Sequence, residues 1–232
     1  MHYKKKEQKV YQVFEHISEG YDAANNRISL GMQKSWKDTM IRAIAKDLPR
    51  NAALLDVCCG TGDIAIAAKE ARPDLKVCGL DFSPSMLEVA KRKSEGMKDV
   101  VWMEGDAMQL PFTDAFFQAA AISFGLRNTP DFEAVLREMK RVITPGGALY
   151  ILDSFVPEKE WVLPFYKLYF RGVMPLIGGG SSHRQEYQWL WQSTESFLRE
   201  SELTKLLKDI GMKRVGHKEF MYGAAVLFRA EK

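Results

Sequence analysis

Two glycines follow an apolar run in the segment LLDVCCGTGDIA, residues 54–65. Gly60, Gly62 and Ala65 match the G-x-G-x-x-G/A pattern, in which a tight turn after a strand brings the backbone close to a nucleotide cofactor. The two adjacent cysteines of the segment raise the alternative of a thiol site. However, the chain has only 3 cysteines and none has CxxC spacing, which favours small buried side chains at the end of the strand.

Two aspartates indicate which kind of ligand this loop could bind. Asp63 begins the following helix, where the helix dipole would otherwise favour a pyrophosphate, and its carboxylate suits a ligand with an ammonium or sulfonium group. Asp81 ends the next apolar run, 21 residues after Gly60, where an acid can accept hydrogen bonds from ribose hydroxyls. The alternative for Asp81 is an acid near the N-terminus of a helix. Because NAD also contains ribose, a nicotinamide cofactor stays open at this point.

Strand-like and helix-like segments alternate through the middle of the chain. Apolar runs occupy 53–58, 76–80, 100–104, 116–123 and 147–152, with helical patterns between them at 63–71, 84–94 and 131–142. This alternation predicts a parallel, doubly wound sheet, with TPGG at 144–147 as a helix-terminating turn before the fifth strand. A third acid, Asp106, follows the third run, and either reads an adenine edge together with the N–H of Ala107 or starts a turn. The three acid-bearing loops meet at one edge of such a sheet.

The flanking segments differ from this core. Residues 7 to 48 have helical spacing with a break at Gly31, and residues 156–197 form an insertion rich in aromatic residues, proline and glycine. A helix at roughly 199–210 and two strand-like runs at 213–220 and 224–230 end the chain. We therefore divide one domain into an N-terminal helical lid segment (1–48), a cofactor-binding core (49–155), an insertion or lid for the acceptor (156–197) and the end of the core (198–232).

The composition excludes several classes of protein. The 232 residues are 46% hydrophobic with a net charge of +3, typical of one globular domain and too mild to indicate nucleic-acid binding. No run approaches the roughly 18 apolar residues of a membrane-spanning helix, and the N-terminus lacks the apolar segment of a signal peptide. The 4 histidines are scattered without metal-ligand spacing. We therefore expect a cytoplasmic protein without a metal site.

Several segments resemble a known family. DVCCGTGD, GLDFSPSMLEVAK, GDAMQLPF and RVITPGGALYILD resemble the nucleotide-binding region of class I S-adenosylmethionine-dependent methyltransferases. YDAANNRISLGMQKSWK and ISFGLRNTPD resemble the more specific signatures of the ubiquinone/menaquinone biosynthesis C-methyltransferases. The resemblance implies a Rossmann-like α/β fold: a central, mostly parallel seven-stranded sheet with helices on both faces, and N-terminal helices and the aromatic insertion as a lid.

The resemblance also implies roles for individual residues. S-adenosylmethionine, which becomes S-adenosylhomocysteine, is the implied cofactor, and no metal is implied. The implied cofactor-binding residues are Asp56, Gly60, Thr61, Gly62, Asp81, Phe82, Asp106, Ala107 and Ser123. The implied residues on the acceptor side are Arg127, Asn128, Asp153 and, from the N-terminal lid, Tyr21.

The implied reaction is methylation of a ring carbon of a prenylated hydroquinone such as demethylmenaquinol. A related O-, N- or C-methyltransferase acting on another aromatic acceptor is the alternative. Carbon methylation requires loss of a phenolic proton, so Arg127 is expected to stabilise the phenolate or to orient a water that removes the proton. Pairing with Asp131 is the alternative for Arg127, and His183 is a weaker candidate for proton transfer. Departures from the family pattern at Ala24, Gln33, Asp106 and Asp153 bear on the acceptor.

The insertion predicts how the acceptor is held. Its aromatic residues offer an apolar wall of the kind that a prenyl tail needs: Trp161, Phe165, Tyr166, Tyr169, Phe170, Trp189 and Trp191. They equally suit a lid core or a dimer interface. We expect a small-molecule acceptor, loose association with the membrane surface, no nucleic acid, and a monomer or homodimer.

Overall fold

The computed structural model describes residue 29, residues 31–169 and residues 191–232. Its helices include α1 (Met32–Asp47), α2 (Asp63–Ala71), α3 (Pro84–Lys93), α4 (Phe132–Val142), α5 (Leu163–Leu168) and α6 (Glu200–Asp209), and residues 191–195 are also helical. Its strands are β1 (Ala53–Val57), β2 (Lys76–Asp81), β3 (Val100–Glu104), β4 (Phe117–Ser123), β5 (Ile143–Ser154), β6 (Lys213–Phe220) and β7 (Ala225–Glu231). Short 3-10 turns occupy Leu126–Asn128 and Met221–Gly223.

The strands form one seven-stranded sheet in the order β3-β2-β1-β4-β5-β7-β6. The first five strands are parallel, and β7 pairs antiparallel with β5 and β6. The strand order reverses between β1 and β4, which places a crevice at the carboxyl ends of these two strands. The mostly parallel seven-stranded sheet predicted from the sequence is confirmed. The division into segments at residues 48, 155 and 197 stays a prediction.

The sheet is covered on both faces, which explains why its central strands are continuous apolar runs. On one face, α1 packs Met40, Ile41 and Ile44 into a core that includes Leu54 of β1 and Tyr150 of β5. The core of the other face contains the buried residues of α4 and α6, including Leu136, Met139, Leu203 and Leu207. The buried hydroxyl of Tyr150 donates to Asp47 at the end of α1, at 2.7 Å. Helix α1 is therefore fixed over β5 by both packing and a hydrogen bond.

Helix starts follow the sequence signals. Gly31 precedes α1 with φ 76°, a left-handed conformation that favours glycine. The Ser83 hydroxyl accepts a hydrogen bond from the N–H of Met86 at the start of α3. The Asp131 carboxylate accepts one from the N–H of Ala134 at the start of α4, at 2.9 Å. Asp131 therefore caps a helix, and it is not the partner of Arg127.

Two predicted boundaries were wrong. The TPGG segment was expected to be a turn before the fifth strand, but β5 already begins at Ile143 and contains it. The pairing with β4 shifts register at this point, and Gly146 has φ 77°, so the segment is an irregularity within the strand. The first strand was expected to reach Cys58, but β1 ends at Val57. Both cysteines therefore belong to the loop.

Candidate functional site

An open cleft lies at the carboxyl ends of β1 and β4, where the strand order reverses. It is open to solvent on one side, and the loop after β1 forms much of its wall. Its lining residues are Gln33, Lys37, Asp56, Cys58, Cys59, Gly60, Thr61, Asp63, Ile64, Ser123 and Phe124. The cleft thus brings together four of the predicted cofactor-binding residues. Lys37 and Phe124 were not predicted, although both lie in segments that carried the family resemblance.

The two loop glycines have different roles. Gly62 has φ +83°, and a Cβ there would lie 2.4 Å from the ring of Trp102. Gly60 has φ +53°, but a Cβ there would meet nothing within 4 Å. Gly62 therefore permits close packing of the loop against β3, whereas Gly60 borders open space in which a ligand can approach the backbone.

We expect Gly62→Ala and Gly60→Ala to separate stability from binding. Gly62→Ala combines a steric overlap with left-handed strain, so we expect a loss of about 2–4 kcal/mol in the free energy of unfolding. Gly60→Ala is expected to cost about 1 kcal/mol, from backbone strain alone. Its main effect is expected on affinity for S-adenosylmethionine, because the added methyl group enters the open space. Urea denaturation and calorimetry check the pair, and equal losses of stability would contradict the assignment.

Asp56 is the buried acid at the base of the cleft. It is 1% exposed, and its carboxylate accepts a hydrogen bond from the N–H of Ala65 at 3.1 Å. Burial raises the pKa of Asp56 to about 8, and repulsion from Asp81 adds to the shift, while the Ala65 hydrogen bond opposes it. A cationic ligand group in the cleft would stabilise the ionised form of this carboxylate.

The raised pKa of Asp56 predicts a pH dependence of stability. The folded chain keeps the Asp56 proton up to about pH 8, whereas the unfolded chain releases it near the ordinary value of about 4. The Asp56 contribution therefore becomes more destabilising as the pH rises between these values. Without cofactor, Asp56→Asn is expected to raise the melting temperature more at about pH 8 than at about pH 5. The same difference in melting temperature at both pH values would contradict the assignment.

Asp63 is not the isolated charge that the sequence suggested. Its carboxylate lies 2.9 Å from Lys37 Nζ on α1, and it also pairs with Lys93 at the end of α3. Burial alone would raise the pKa of Asp63, but the two ammonium groups outweigh it and hold the pKa below its usual range. Asp63 therefore repels a pyrophosphate less strongly than the sequence suggested, because two cations lie beside it.

Asp81 lies directly behind the glycine loop. Its carboxylate accepts hydrogen bonds from the N–H groups of Gly60 at 2.8 Å and Ser83 at 3.0 Å. Asp81 is buried and Phe82, which follows it, is half-buried. The carboxylate therefore fixes the loop conformation, a structural role that the sequence did not reveal, and its binding of ribose hydroxyls stays a prediction.

Asp106 and Ala107 follow β3 along the same edge of the sheet. Asp106 is exposed and accepts a hydrogen bond from the N–H of Met108 at 2.8 Å, whereas Ala107 is buried. The turn-initiating role considered for Asp106 is thus present. Neither residue lines the cleft, so their binding to adenine stays a prediction.

Arg127 and Asp153 form a buried ion pair. Arg127 follows β4 in a 3-10 turn, and its Nη1 lies 2.5 Å from the Asp153 carboxylate on β5 and 2.9 Å from the carbonyl oxygen of Phe124. Asp153 also accepts hydrogen bonds from the N–H groups of Arg127 at 3.1 Å and Ser154 at 2.8 Å. Asn128 donates to the same Phe124 carbonyl at 3.2 Å. Three of the four residues expected on the acceptor side are thus adjacent in space.

Two buried polar atoms in this region have capacity for a ligand. Within the described residues, the Ser123 hydroxyl and Arg127 Nε are buried without a hydrogen-bond partner. Such groups are costly unless something satisfies them. Ser123 ends β4 and lines the cleft, so its hydroxyl and the open space beside Gly60 fit a polar cofactor.

The loop cysteines line the cleft but remain protonated. Burial raises the pKa of both the Cys58 and the Cys59 thiol well above the ordinary value, and the nearby Asp81 carboxylate adds to the shift. Since the thiolate is the reactive form, these thiols are poor nucleophiles. Tyr21, expected on the acceptor side, and His183 lie outside the described residues.

Three side chains that could bind a metal lie close together at a distance from the cleft. Their spacing in the sequence did not indicate this cluster. Glu200 at the start of α6 and His217 and Glu219 on β6 bring their ligand atoms within 4.8 Å of one another. His217 lies 2.8 Å from Glu200, and Lys159 lies 2.5 Å from Glu219. The Lys159–Glu219 ion pair connects the start of the insertion to the edge strand β6.

Sequence comparisons identify the family. A model described as the ubiE/COQ5 methyltransferase family matches residues 2–232. A demethylmenaquinone methyltransferase of Bacillus licheniformis is 41% identical over 222 residues, covering 95% of each chain. One of Staphylococcus aureus is 40% identical over 226 residues, covering 97% of this chain and 93% of its own.

Solved structures share the fold. A methyltransferase of Thermotoga maritima, described as S-adenosylmethionine-dependent and as a possible histamine N-methyltransferase, has a TM-score of 0.65 at 20% identity and covers 96% of this chain and 99% of its own. An S-adenosylmethionine-dependent methyltransferase of Aquifex aeolicus has a TM-score of 0.58 at 21% identity, covering 82% and 88%. The chain is therefore an S-adenosylmethionine-dependent methyltransferase and belongs to the ubiE/COQ5 methyltransferase family.

Proposed function

We propose that the enzyme methylates a ring carbon of a prenylated hydroquinone, with demethylmenaquinol as the acceptor. The proposal is supported by the naming of the relatives above as demethylmenaquinone methyltransferases. The observation that supports it in this chain is the buried Arg127–Asp153 pair beside the cleft, whose guanidinium is proposed to stabilise the negative charge that develops on a phenol. An O-, N- or C-methyltransferase for another aromatic acceptor remains the second candidate, favoured by the departures from the family pattern at Gln33 and Asp153.

The chemistry divides between cofactor and protein. S-adenosylmethionine supplies an electrophilic methyl group on its sulfonium sulfur. The hydroquinone must lose a phenolic proton so that negative charge reaches the ring carbon. Formation of the carbon–methyl bond would break the methyl–sulfur bond and leave S-adenosylhomocysteine, after which the ring carbon loses its own proton and the oxygen is protonated again. Arg127 Nε, buried without a partner among the described residues, is proposed to donate a hydrogen bond to the phenolate oxygen or to a water that removes the proton.

Asp153 is proposed to position Arg127. Its carboxylate is fully buried and already accepts hydrogen bonds from three N–H groups, two of them on Arg127. Little acceptor capacity remains for a substrate proton. Asn128, which shares the Phe124 carbonyl with Arg127, is proposed to stabilise the same turn. For Tyr21 an acceptor-side role stays part of the proposal.

Among the described residues of the insertion, the aromatic side chains divide into a buried and an exposed group, whereas Phe170 and Trp189 lie outside the described residues. Tyr166 is buried, and its ring centroid lies 6.1 Å from that of Trp191. Trp161, just before α5, is 60% exposed, and Phe165 and Leu168 on α5 are 69% and 65% exposed. Exposed Tyr222 extends this surface, with its ring centroid 5.1 Å from that of Trp161. We name the group Trp161, Phe165, Leu168, Met221 and Tyr222 the aromatic ridge.

The aromatic ridge is proposed to rest on the membrane surface from the cytoplasmic side. A prenylated acceptor resides in the bilayer, and exposed tryptophan and tyrosine side chains suit its interface. Among the described helices, none has the length and hydropathy needed to cross a bilayer. In flotation with vesicles containing acceptor, the unsubstituted chain is expected to float and Trp161→Ser with Phe165→Ser is expected to sediment. No flotation of the unsubstituted chain, or dimerisation through this ridge, would refute the membrane contact.

An acceptor comparison tests the proposed reaction. Initial rates are measured with demethylmenaquinol, with the same naphthohydroquinone lacking the prenyl tail, and with a catechol, by mass spectrometry of the methylated product. The highest kcat/KM is expected for demethylmenaquinol, and a lower value without the tail. A faster reaction with the catechol or with an amine would replace this proposal with the second candidate.

A further inference from the structure

Lys37 is a charged residue of the cleft that the cofactor motifs do not include. It lies on α1, outside the glycine loop, and its half-buried side chain contributes to the cleft lining together with Asp56 and Thr61. Its ammonium group is 2.9 Å from the carboxylate of Asp63. Helix α1 therefore delivers one cation to the pocket formed by the loop after β1.

The partner of Lys37 does not depend on it alone. Asp63 also pairs with Lys93, which lies at the end of α3. The side chains of Lys37 and Asp63 are 20% and 33% exposed, so the pair lies at the mouth of the cleft, where a ligand can reach it. If Lys37 turned toward a ligand, Asp63 would keep its other cation. If a ligand's anionic group replaced Asp63 at Lys37, the Asp63 carboxylate would therefore still be paired with Lys93.

The polar groups of the cleft are complementary to an α-amino acid. Asp56 places a carboxyl group at the base, where a ligand's ammonium group would favour its ionised form, and Lys37 places an ammonium group at the mouth. The methionine part of S-adenosylmethionine carries an ammonium and a carboxylate on one carbon. We propose that Lys37 binds the α-carboxylate of the cofactor in exchange for Asp63, and that Asp63, held by Lys93, positions Lys37 before the cofactor binds. This inference concerns the cofactor and does not depend on which acceptor is methylated.

A comparison of two ligands isolates this contact. S-adenosylmethionine and decarboxylated S-adenosylmethionine share adenosine, sulfonium and ammonium groups, and differ by the carboxylate. Lys37→Met is expected to weaken binding of S-adenosylmethionine about 10- to 100-fold, the value of one charge-assisted hydrogen bond. Binding of the decarboxylated compound is expected to change little. Calorimetry without acceptor measures both dissociation constants.

Two further variants make the result interpretable. Lys34→Met removes a lysine from an exposed position of the same helix, and is expected to leave both affinities unchanged. Lys37→Arg keeps the positive charge and is expected to restore most of the discrimination between the two compounds. Equal weakening of both compounds by Lys37→Met would show a purely structural role and overturn the proposal. Unchanged affinity for S-adenosylmethionine would overturn it as well.

Discussion

Replacing Arg127 and Asp153 together, as Arg127→Met with Asp153→Asn, is expected to lower the methyl-transfer rate about 100- to 1,000-fold, the value of one preorganised donor at a developing negative charge. Affinity for S-adenosylmethionine is expected to stay nearly unchanged, because neither side chain lines the cleft around the glycine loop. Single-turnover kinetics with demethylmenaquinol, combined with calorimetry of cofactor binding, measure the two quantities separately.

The double replacement is necessary because the pair is buried. Arg127→Met alone would leave the Asp153 carboxylate, 0% exposed, without its cation, at a cost of about 3–5 kcal/mol in stability. The matched control is the exposed pair on α4, in which Arg137 lies 2.6 Å from Glu133. Arg137→Met with Glu133→Gln is expected to leave the rate unchanged. A double variant of Arg127 and Asp153 that folds and retains more than about a tenth of the rate would remove Arg127 from the mechanism.

Asp81→Asn is expected to reduce affinity for S-adenosylmethionine by about 100-fold or more, and stability by about 1–3 kcal/mol. The two carboxylate oxygens accept hydrogen bonds from Gly60 and Ser83, and an amide can satisfy only one of these donors as an acceptor. The loop would therefore shift, and the proposed ribose acceptor would be lost with it. Calorimetry gives the affinity, and urea denaturation gives the free energy of unfolding.

Asp99 supplies the matched control for Asp81. It lies before β3, at the opposite edge of the sheet, with a side chain 63% exposed and φ 57°, a conformation that asparagine tolerates. Asp99→Asn is expected to change neither affinity nor stability appreciably. If Asp81→Asn bound S-adenosylmethionine as tightly as the unsubstituted chain, Asp81 would have no part in the cofactor site.

The sequence predicted those parts of the fold that depend on local pattern. Buried parallel strands are continuous apolar runs, so the alternation of strands and helices along the chain could be predicted. The position of Asp81 at the end of a strand followed from that alternation. Local pattern does not reveal pairing across the sheet. Asp153 lies 26 residues after Arg127 and meets it only because β4 and β5 are neighbours, so the sequence suggested Asp131 as an alternative partner.

The sequence also could not reveal that two lysines neutralise the Asp63 carboxylate at the cleft. Asp63 was interpreted as an isolated carboxylate, because Lys37 and Lys93 are 26 and 30 residues away along the chain. Their convergence depends on how α1 and α3 are placed against the loop. The same limit explains why the sequence could not divide the aromatic residues of the insertion. Buried Tyr166 and exposed Phe165 are adjacent in the chain, and only the helix orientation separates them.

The position of the transferred methyl group tests the account most directly. The enzyme is incubated with demethylmenaquinol and S-adenosylmethionine carrying a trideuterated methyl group, and the product is fragmented by mass spectrometry. Methylation of a ring carbon predicts that the label stays with the quinone ring after oxidation and is not released with an oxygen substituent. Label attached to oxygen, or no labelled quinone while another phenol becomes labelled, would contradict the account.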